Sequence, residues 1–367
     1  MTITKNENWK APRIGSAQIG LLEKLSNACA VSGNEDEVRK IVLEEVRPLL
    51  DEKNDNLTID AMGNVLVSKR GSGRNRPRVM LSAHMDEVGF MIIHPDGDGL
   101  FRFAAVGGID SRQLAGKPVS VGSDHLPGVI GAKPIHLTTA SERKNTIEID
   151  ALRIDIGPTN KSKINPGDWA TFATKFMQVG PSLRGKALDD RIGVATLISL
   201  LKSAPTNIDL LAAFTVQEEV GLRGARVAAH ALAPDMAIAL DATPAMDMPT
   251  WDEEDENTQY RSKLDAGPAI YLADGATLSD PRLINHLKAV GDAYKITYQL
   301  RQPGGGGTDA GAIHKQLSGI PSVSVSVPCR YPHTAASLTR LADWRNTVAL
   351  IHAALSHIDK DTLKSAR

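Results

Sequence analysis

The sequence predicts an α/β domain that is interrupted by a small all-β insert. Helical periodicity between residues 20 and 50 precedes short apolar strands, and a mixture of strands and helices resumes after Gly180. Residues 88–180 differ, because they consist of short runs rich in Gly, Val and Ile with many turn signals. We therefore expect the α/β domain at 1–87 and 181–367 and the β insert at 88–180.

Local patterns place the elements of this fold along the chain. Apolar spacing predicts two helices between residues 20 and 50, broken at residues 32–34, where Ser32 and Glu35 fit a capping box. Residues 1–18 are predicted to be a flexible extension, and the acidic run Trp251–Glu256 a solvated loop. Further helices are predicted at 193–201, 281–293 and 343–357, and strands at 57–60, 64–69, 78–83, 119–121, 128–130, 151–156, 169–172, 210–216, 236–240 and 322–327.

Composition excludes several classes of protein. The 367 residues are 42% hydrophobic and 23% charged, which is typical of a soluble globular chain and long enough for two domains. A net charge of −1 without a basic stripe argues against nucleic acid as a partner. No apolar run is long enough for a membrane span, and the polar N-terminus lacks the core of a signal peptide. Cys29 and Cys329 lie outside any CxxC pattern, so we expect buried structural thiols and a cytoplasmic protein.

Four apolar strands lead into a carboxylate or a histidine. In an open α/β sheet, ligands bind in the crevice beyond the carboxyl ends of the strands, so these side chains are expected to lie close together. The pair Asp189-Asp190 precedes a helix and is a fifth candidate for the same edge. The residues at the strand ends are His84 and Asp86, Glu218 and Glu219, Asp241, and His333.

Taken singly, each of these residues has a structural explanation. A histidine at a strand end is more often structural, Asp190 is also placed to cap its helix, and Glu218-Glu219 fit an exposed turn. Together, however, they crowd carboxylates without adjacent basic residues, and such a group requires cations. Mixed nitrogen and oxygen ligands suit zinc, cobalt or manganese better than magnesium or calcium. One carboxylate that bridges two such ions would let them share a site. Of two adjacent glutamates, one would then bind metal while the other transfers protons.

Six ordered motifs resemble the co-catalytic metallo-aminopeptidases of the tetrahedral, glutamyl-aminopeptidase-like family. The resemblance extends over about residues 20–355 and includes VGGID (106–110) and GAKPIHL (131–137) of the insert. It implies an α/β/α zinc-peptidase domain with a mixed sheet, interrupted by a barrel-like dimerisation domain. The six motifs are HMDEVGFM (84–91), LDDRIG (188–193), EEVGLRGA (218–225), LDATP (240–244), GGGTDA (305–310) and RYPHT (330–334).

The resemblance also implies a role for each candidate residue. It implies two divalent ions, a cis peptide bond between Asp189 and Asp190, and either helix capping or pocket shaping for Thr308 and Asp309. Ser337 departs from the family, which has a glutamate at the corresponding place. The implied ligands are His84, Asp189 and Asp241 for one metal and Asp189, Glu219 and His333 for the other, with Asp189 as bridge, Glu218 as general base and Asp86 orienting His84.

These features predict an aminopeptidase that trims short peptides with free N-termini. Family members form dimers that close into a twelve-subunit shell, so a homo-oligomer is expected, whereas the preferred N-terminal residue stays open. One alternative is a related deacylase or carboxypeptidase, which would need a cationic group to hold a substrate carboxylate, but the motifs match the aminopeptidase pattern better. Arg301 or Arg330 could bind an acidic side chain. An endoglucanase is a weaker alternative, because most glycosidases use two carboxylates without metal, and His84 and His333 would then have no role. The intact Glu218 argues against a non-catalytic relative.

Overall fold

The computed structural model describes residue 3 and residues 5–73, 76–248 and 262–364. The predicted acidic loop Trp251–Glu256 lies outside these ranges. The helices are α1 (Ser16–Asn27), α2 (Asp36–Val46), α3 (Leu188–Lys202), α4 (Arg223–Leu232), α5 (Pro281–Tyr294), α6 (Ala310–Ile313) and α7 (Leu341–His357). The strands are β1 (Asn56–Ile59), β2 (Val65–Lys69), β3 (Arg78–His84), β4 (Gly89–Pro95), β5 (Leu100–Val106), β6 (Pro118–Val121), β7 (Leu126–Gly131), β8 (Arg153–Asp155), β9 (Trp169–Phe172), β10 (Met177–Val179), β11 (Ser182–Gly185), β12 (Asp209–Thr215), β13 (Met236–Pro244), β14 (Ala269–Tyr271), β15 (Gln299–Arg301), β16 (Ser322–Arg330) and β17 (Ser337–Arg340).

A large mixed sheet forms the centre of the α/β unit. Eleven strands of the described ranges belong to it, with the main path β1-β2-β12-β3-β13-β16-β17-β11-β10, and off this path β14 pairs with β16 and β15 pairs with β14. The four central strands β12, β3, β13 and β16 are parallel, so their carboxyl ends reach the same edge. This edge carries the candidate site, as the sequence predicts.

Helices cover both faces of this sheet. Because side chains alternate along a strand, Val79 and Leu81 of β3 belong to one buried cluster and Met80 to another. The larger cluster contains residues of α1, α2, α3, α5 and α7, and the smaller one contains residues of α4 and α6. The result is the three-layer α/β/α arrangement expected for a sheet that is apolar on both faces. Among the described helices, none has both the length and the apolar character needed to cross a membrane.

The insert forms a separate closed barrel. Its strand order is β4-β5-β8-β7-β6-β9, and all its strands lie between Gly89 and Phe172. The interior has its own apolar cluster, in which the ring of Phe90 meets Phe103 and Phe172 edge-on, with centroids 5.2 and 5.3 Å apart. β10 lies beyond the barrel, because it pairs with β11 in the large sheet.

The predicted flexible extension is wrong for its described part. Trp9 donates a hydrogen bond from Nε1 to Nδ1 of His352 at 2.9 Å, and its ring lies 4.6 Å from that of Tyr294. Ile14 is buried in the main core. Sequence periodicity missed this segment because single anchoring side chains leave no periodic pattern.

The predicted capping box before α2 is also wrong. Glu35 is the residue that precedes the helix, and Ser32 Oγ donates to Asp86 Oδ2 at 2.6 Å instead. Both side chains are buried near the carboxyl edge of the sheet. The hydroxyl of Ser32 thus finds its hydrogen-bond acceptor 54 positions away in the sequence, so the local pattern did not determine its partner.

Candidate metal centre

Strand register explains why the candidate side chains meet. His84 at the end of β3 pairs with Thr215 at the end of β12, and Glu218 and Glu219 follow β12 directly. Asp241 lies in the parallel neighbour β13, and His333 follows β16. Asp189 approaches the same edge from the first turn of α3. The Asp189–Asp190 peptide bond is cis, as the resemblance implies.

Two clusters of three side chains share Asp189. The first contains His84, Asp189 and Asp241, and the second contains Asp189, Glu219 and His333, each with its ligand atoms within 4.8 Å of one another. Asp189 Oδ1 lies 3.1 Å from His84 Nε2, whereas Asp189 Oδ2 lies 3.5 Å from His333 Nε2. One carboxylate therefore presents one oxygen to each cluster, which is the arrangement of a bridging ligand.

The hydrogen bonds of both histidines suit metal ligands. Nδ1 of His84 lies 3.2 Å from the backbone oxygen of Asp86, and Nδ1 of His333 lies 2.9 Å from that of Gly108. A carbonyl oxygen only accepts, so each Nδ1 carries a hydrogen, and when the ring is neutral the lone pair of Nε2 is directed into the site. Each of these lone pairs faces a carboxylate oxygen, which is also electron-rich. A proton or a cation must therefore lie between the nitrogen and the oxygen. The donor set thus fits divalent metal ions.

The charges of the site point the same way. Burial, together with the charge of Asp189, raises the pKa of Glu219 to about 8 and that of Asp241 to about 7. Burial alone would lower the pKa of His333, but Asp189 and Glu219 raise it to about 9. Carboxylates that resist ionisation beside histidines that hold their protons indicate excess negative charge. Bound cations would relieve that excess.

Asp86 supports the site through more contacts than the sequence suggests. Its carboxylate lies 3.5 Å from Nδ1 of His84, consistent with the predicted orienting role. In addition, Oδ1 accepts from the backbone nitrogen of Glu218 at 3.0 Å, and Oδ2 accepts from that of Glu219 at 3.2 Å and from Ser32 Oγ at 2.6 Å. Asp86 thereby contacts one histidine and the backbone of both glutamates.

Glu218 stands beside the two clusters without belonging to either. Its Oε2 lies 4.0 Å from His84 Nε2, and Gln217 before it adopts φ 56°, which turns the chain out of β12. Burial and the carboxylates of Asp241 and Glu219 raise its pKa well above the usual value. A carboxyl group with a raised pKa next to possible ligands is suited to accept and return a proton.

Sequence reasoning missed a buried ion cluster behind the site. Glu87 Oε1 accepts from Lys186 Nζ at 2.6 Å and from Arg191 at 3.0 Å, and it also accepts from the backbone nitrogen of Ala30. All three charged side chains are buried. These bonds join the segments that carry Asp86 and Asp189. A local sequence pattern could not predict them, because the charged partners are about 100 positions apart in the sequence.

Three other sequence candidates have structural contacts. Asp309 accepts from Thr215 Oγ1 at 2.7 Å and Thr308 bonds Ser324 at 2.5 Å, so neither side chain caps α6. Both are buried rather than exposed to the cavity. Ser337, where the family has a glutamate, donates to the backbone oxygen of Tyr331 at 3.2 Å.

A cavity of about 890 Å³ opens onto the clusters. Its wall includes Asp189, Glu218, Glu219 and Asp241, and among the described lining residues Arg301 is the one with a lysine or arginine charge. The guanidinium lies 4.2 Å from the centre of the Tyr271 ring. The wall of this cavity therefore carries both acidic side chains and one guanidinium group.

Comparisons with known proteins agree with this fold. A family model described as M42 glutamyl aminopeptidase matches residues 63–350. A putative aminopeptidase of Acetivibrio thermocellus is 35% identical over 91% of this chain and 97% of its own. An aminopeptidase of the archaeon Desulfurococcus kamchatkensis superposes with a TM-score of 0.87 at 33% identity, over 94% of this chain and 96% of that one. The TET1 peptidase of Pyrococcus horikoshii superposes with a TM-score of 0.80 at 32% sequence identity, and the match covers 93% of this chain and 100% of that one.

These matches cover most of the chain and include the barrel. Fold and site define a peptidase, that is, a hydrolase of peptide bonds. The chain belongs to the M42 glutamyl aminopeptidase family.

Proposed function

We propose that the chain is a cytoplasmic two-metal aminopeptidase that removes N-terminal residues from short peptides. The observation that carries this proposal is the division of the Asp189 oxygens between His84 Nε2 and His333 Nε2. Two divalent ions of zinc, cobalt or manganese would supply a polarised water and a Lewis acid for the scissile carbonyl. His84, Asp189 and Asp241 would hold one ion, and Asp189, Glu219 and His333 the other.

Glu218 is the proton carrier in this proposal. Its carboxylate takes up a proton from the attacking water and returns it to the nitrogen of the leaving amine. The raised pKa of Glu218 favours this exchange, because a group that is too acidic would not hold the proton between the two steps. Asp86 keeps the glutamate in place through the bond to its backbone nitrogen.

The cavity also supports action at the amino end of a peptide. Carboxylates of Glu218, Glu219 and Asp241 line it, and they attract the ammonium group of a free N-terminus. An acetylated N-terminus has no charge to offer and adds bulk at that position. A carboxypeptidase or deacylase would have no such requirement.

The experiment compares three versions of one short peptide after chelation and refilling with zinc, cobalt or manganese. The versions are free at both ends, acetylated at the N-terminus, or amidated at the C-terminus. We expect stepwise loss of N-terminal residues from the first and third and no cleavage of the second, as followed by mass spectrometry. Cleavage of the acetylated peptide contradicts the proposal, and so does full activity in the presence of chelator. Turnover of a cellulosic substrate would support the endoglucanase alternative.

Arg301 is proposed to select acidic N-terminal residues. The guanidinium is buried, and its hydrogen bonds in the described structure go to backbone oxygens, with the shorter one at 3.2 Å to Gly305. No described carboxylate pairs with it, although it lies on the wall of the active-site cavity. Its remaining N–H donors suit a substrate carboxylate.

Arg301→Gln is expected to lower kcat/KM for glutamyl-anilide by about 10- to 150-fold, since a hydrogen bond to a charged group contributes about 1.5–3 kcal/mol. The rate for leucyl-anilide should change little. Arg330→Gln is the matched control, because Arg330 Nε is paired with Asp247 at 2.8 Å and lies outside the cavity wall. An equal loss for both substrates would contradict a role in selection.

We further propose that the chain forms a homo-oligomer built from dimers, with twelve subunits as the expected state. The TET1 peptidase of Pyrococcus horikoshii is described as assembling into a tetrahedron or an octahedral shell. The barrel of this chain exposes apolar side chains that suit such contacts, with Ile135 73% and Leu137 60% exposed. Native mass spectrometry should give multiples of the dimer mass, and Ile135→Asp with Leu137→Asp should reduce the assembly. A monomer at working concentration would contradict this proposal.

A further inference from the structure

A third group of potential ligands lies at the joint between the α/β unit and the barrel. Cys29 follows α1, Glu37 is in the first turn of α2, and His125 is in the turn between β6 and β7. None of the three belongs to the two clusters around Asp189. The predicted burial of both thiols is confirmed for Cys329 and wrong for Cys29, which is partly exposed.

The three side chains contact one another directly. Cys29 Sγ lies 3.4 Å from His125 Nδ1, and His125 Nε2 lies 3.0 Å from Glu37 Oε1. The other oxygen of Glu37 accepts from the backbone nitrogen of Cys29 at 2.9 Å. One ligand atom from each residue lies within 4.8 Å of the other two. The glutamate therefore holds the backbone of Cys29 and the imidazole of His125, whose Nδ1 faces the thiol.

The surroundings leave room for an ion and its water. A groove of about 430 Å³ is lined by Cys29, Glu37 and His125 together with residues of both structural units. The His125 and Glu37 side chains are 47% and 38% exposed, so they can adjust to a bound ion without disturbing the core. Lys186 also lines the groove, but its ammonium is paired with Glu87 at 2.6 Å. An ion can therefore reach the three side chains through the groove, and the His125 and Glu37 side chains have room to change conformation.

The donor set identifies the kind of ion. Thiolate and imidazole ligands suit zinc, whereas an all-oxygen set would suit magnesium or calcium. Zinc bonds of about 2.3 Å to sulfur and 2.0–2.1 Å to nitrogen place tetrahedral ligands roughly 3.6 Å apart. The observed separation of Sγ and Nδ1 is 3.4 Å. The pair is therefore already close to the spacing that zinc requires.

We propose that Cys29, Glu37 and His125 form a zinc site that ties the barrel to the α/β unit. Cys29 and Nδ1 of His125 are the direct ligands, water fills the remaining positions, and Glu37 orients the imidazole through Nε2. Because Cys29 lies in the α/β unit and His125 lies in the barrel, the ion connects the two structural units. The site is independent of the active centre, whose proposed ligands contain no sulfur.

Cobalt titration of the full-length, metal-free protein tests this proposal. Bound Co²⁺ with a thiolate ligand gives a near-ultraviolet charge-transfer absorption that nitrogen and oxygen ligands do not give. We expect the fully developed absorption to correspond to one thiolate-bound cobalt per chain, reached when the two proposed sites of the active centre are also filled. It should disappear when excess Zn²⁺ is added, because soft thiolate ligands select zinc. Peptidase activity, measured in parallel, reports on the active centre separately.

Matched variants assign the absorption to its ligands. Cys29→Ser should abolish it and His125→Gln should weaken cobalt binding, whereas Cys329→Ser, which removes the buried thiol, should leave it unchanged. Glu37→Gln should weaken binding by about 10- to 100-fold, as expected for loss of a carboxylate that orients a histidine ligand. All four variants should retain peptidase activity, which shows that they fold. Absence of the absorption in the unaltered protein, or its persistence in Cys29→Ser, would overturn the proposal.

Discussion

Glu218→Gln is expected to lower kcat by about 10²–10⁴ while leaving the metal content unchanged. The substitution keeps the size of the side chain and the bond from its backbone nitrogen to Asp86 Oδ1. It removes only the carboxylate that we propose takes up and returns the proton. Steady-state kinetics with an aminoacyl-anilide and elemental analysis of the same samples measure both quantities.

Two other glutamates provide the controls for this result. Glu219→Gln should lose metal as well as activity, because Glu219 Oε2 lies 3.2 Å from His333 Nε2 within the second cluster. Glu44→Gln changes an exposed residue of α2 and should be neutral. If Glu218→Gln lost metal and Glu219→Gln kept it, the roles of the two residues would be reversed.

Asp189→Asn is expected to remove nearly all activity, because it weakens the binding of both metal ions. Each carboxylate oxygen faces a different histidine, and the neutral amide keeps only one oxygen and replaces the other with an N–H donor. The loss of affinity should exceed the roughly 10- to 100-fold that removal of an outer carboxylate costs. Metal content at buffered free zinc, measured together with kcat/KM, checks this expectation.

Asp190→Asn is the matched control, since it makes the same chemical change one residue along the chain. Asp190 Oδ1 accepts from the backbone nitrogen of Gly193 at 2.9 Å, and an asparagine oxygen can keep that bond. Asp190 belongs to neither cluster, so metal binding should persist. Equal metal loss in the two variants would show that Asp189 acts through local structure rather than as a bridge.

Much of the fold was predictable because apolar periodicity is a local property. The helices around Leu22 and Val42 and the strands that end at His84 and Thr215 follow from side-chain spacing, and the structure contains them. The short runs of residues 88–180 likewise predicted the β structure of the insert, where the barrel is found. Parallel strands then bring distant carboxylates and histidines to one edge, so the proximity of the candidate ligands was also foreseeable.

Other contacts could not be predicted, because their partners come from distant parts of the chain. Ser32 fits a helix cap but bonds Asp86, and Trp9 anchors a segment that has no periodic pattern. The resemblance pairs Asp86 with His84 but does not show that the same carboxylate also holds the backbone nitrogens of both glutamates. The partner of each such hydrogen bond depends on which polar groups still lack a partner after the helices and the sheet have packed together.

The sequence by itself therefore determined the layered α/β architecture, the β insert and the set of residues at the sheet edge. Tertiary structure alone decided how those residues face one another: which oxygen of Asp189 meets which histidine, and which carbonyl holds each imidazole. It also left Arg301 bonded to backbone oxygens rather than paired with a described carboxylate, and it brought Cys29 to His125. The physical reason is that apolar burial follows a repeating pattern along the chain, whereas hydrogen bonds and charges are satisfied in three dimensions.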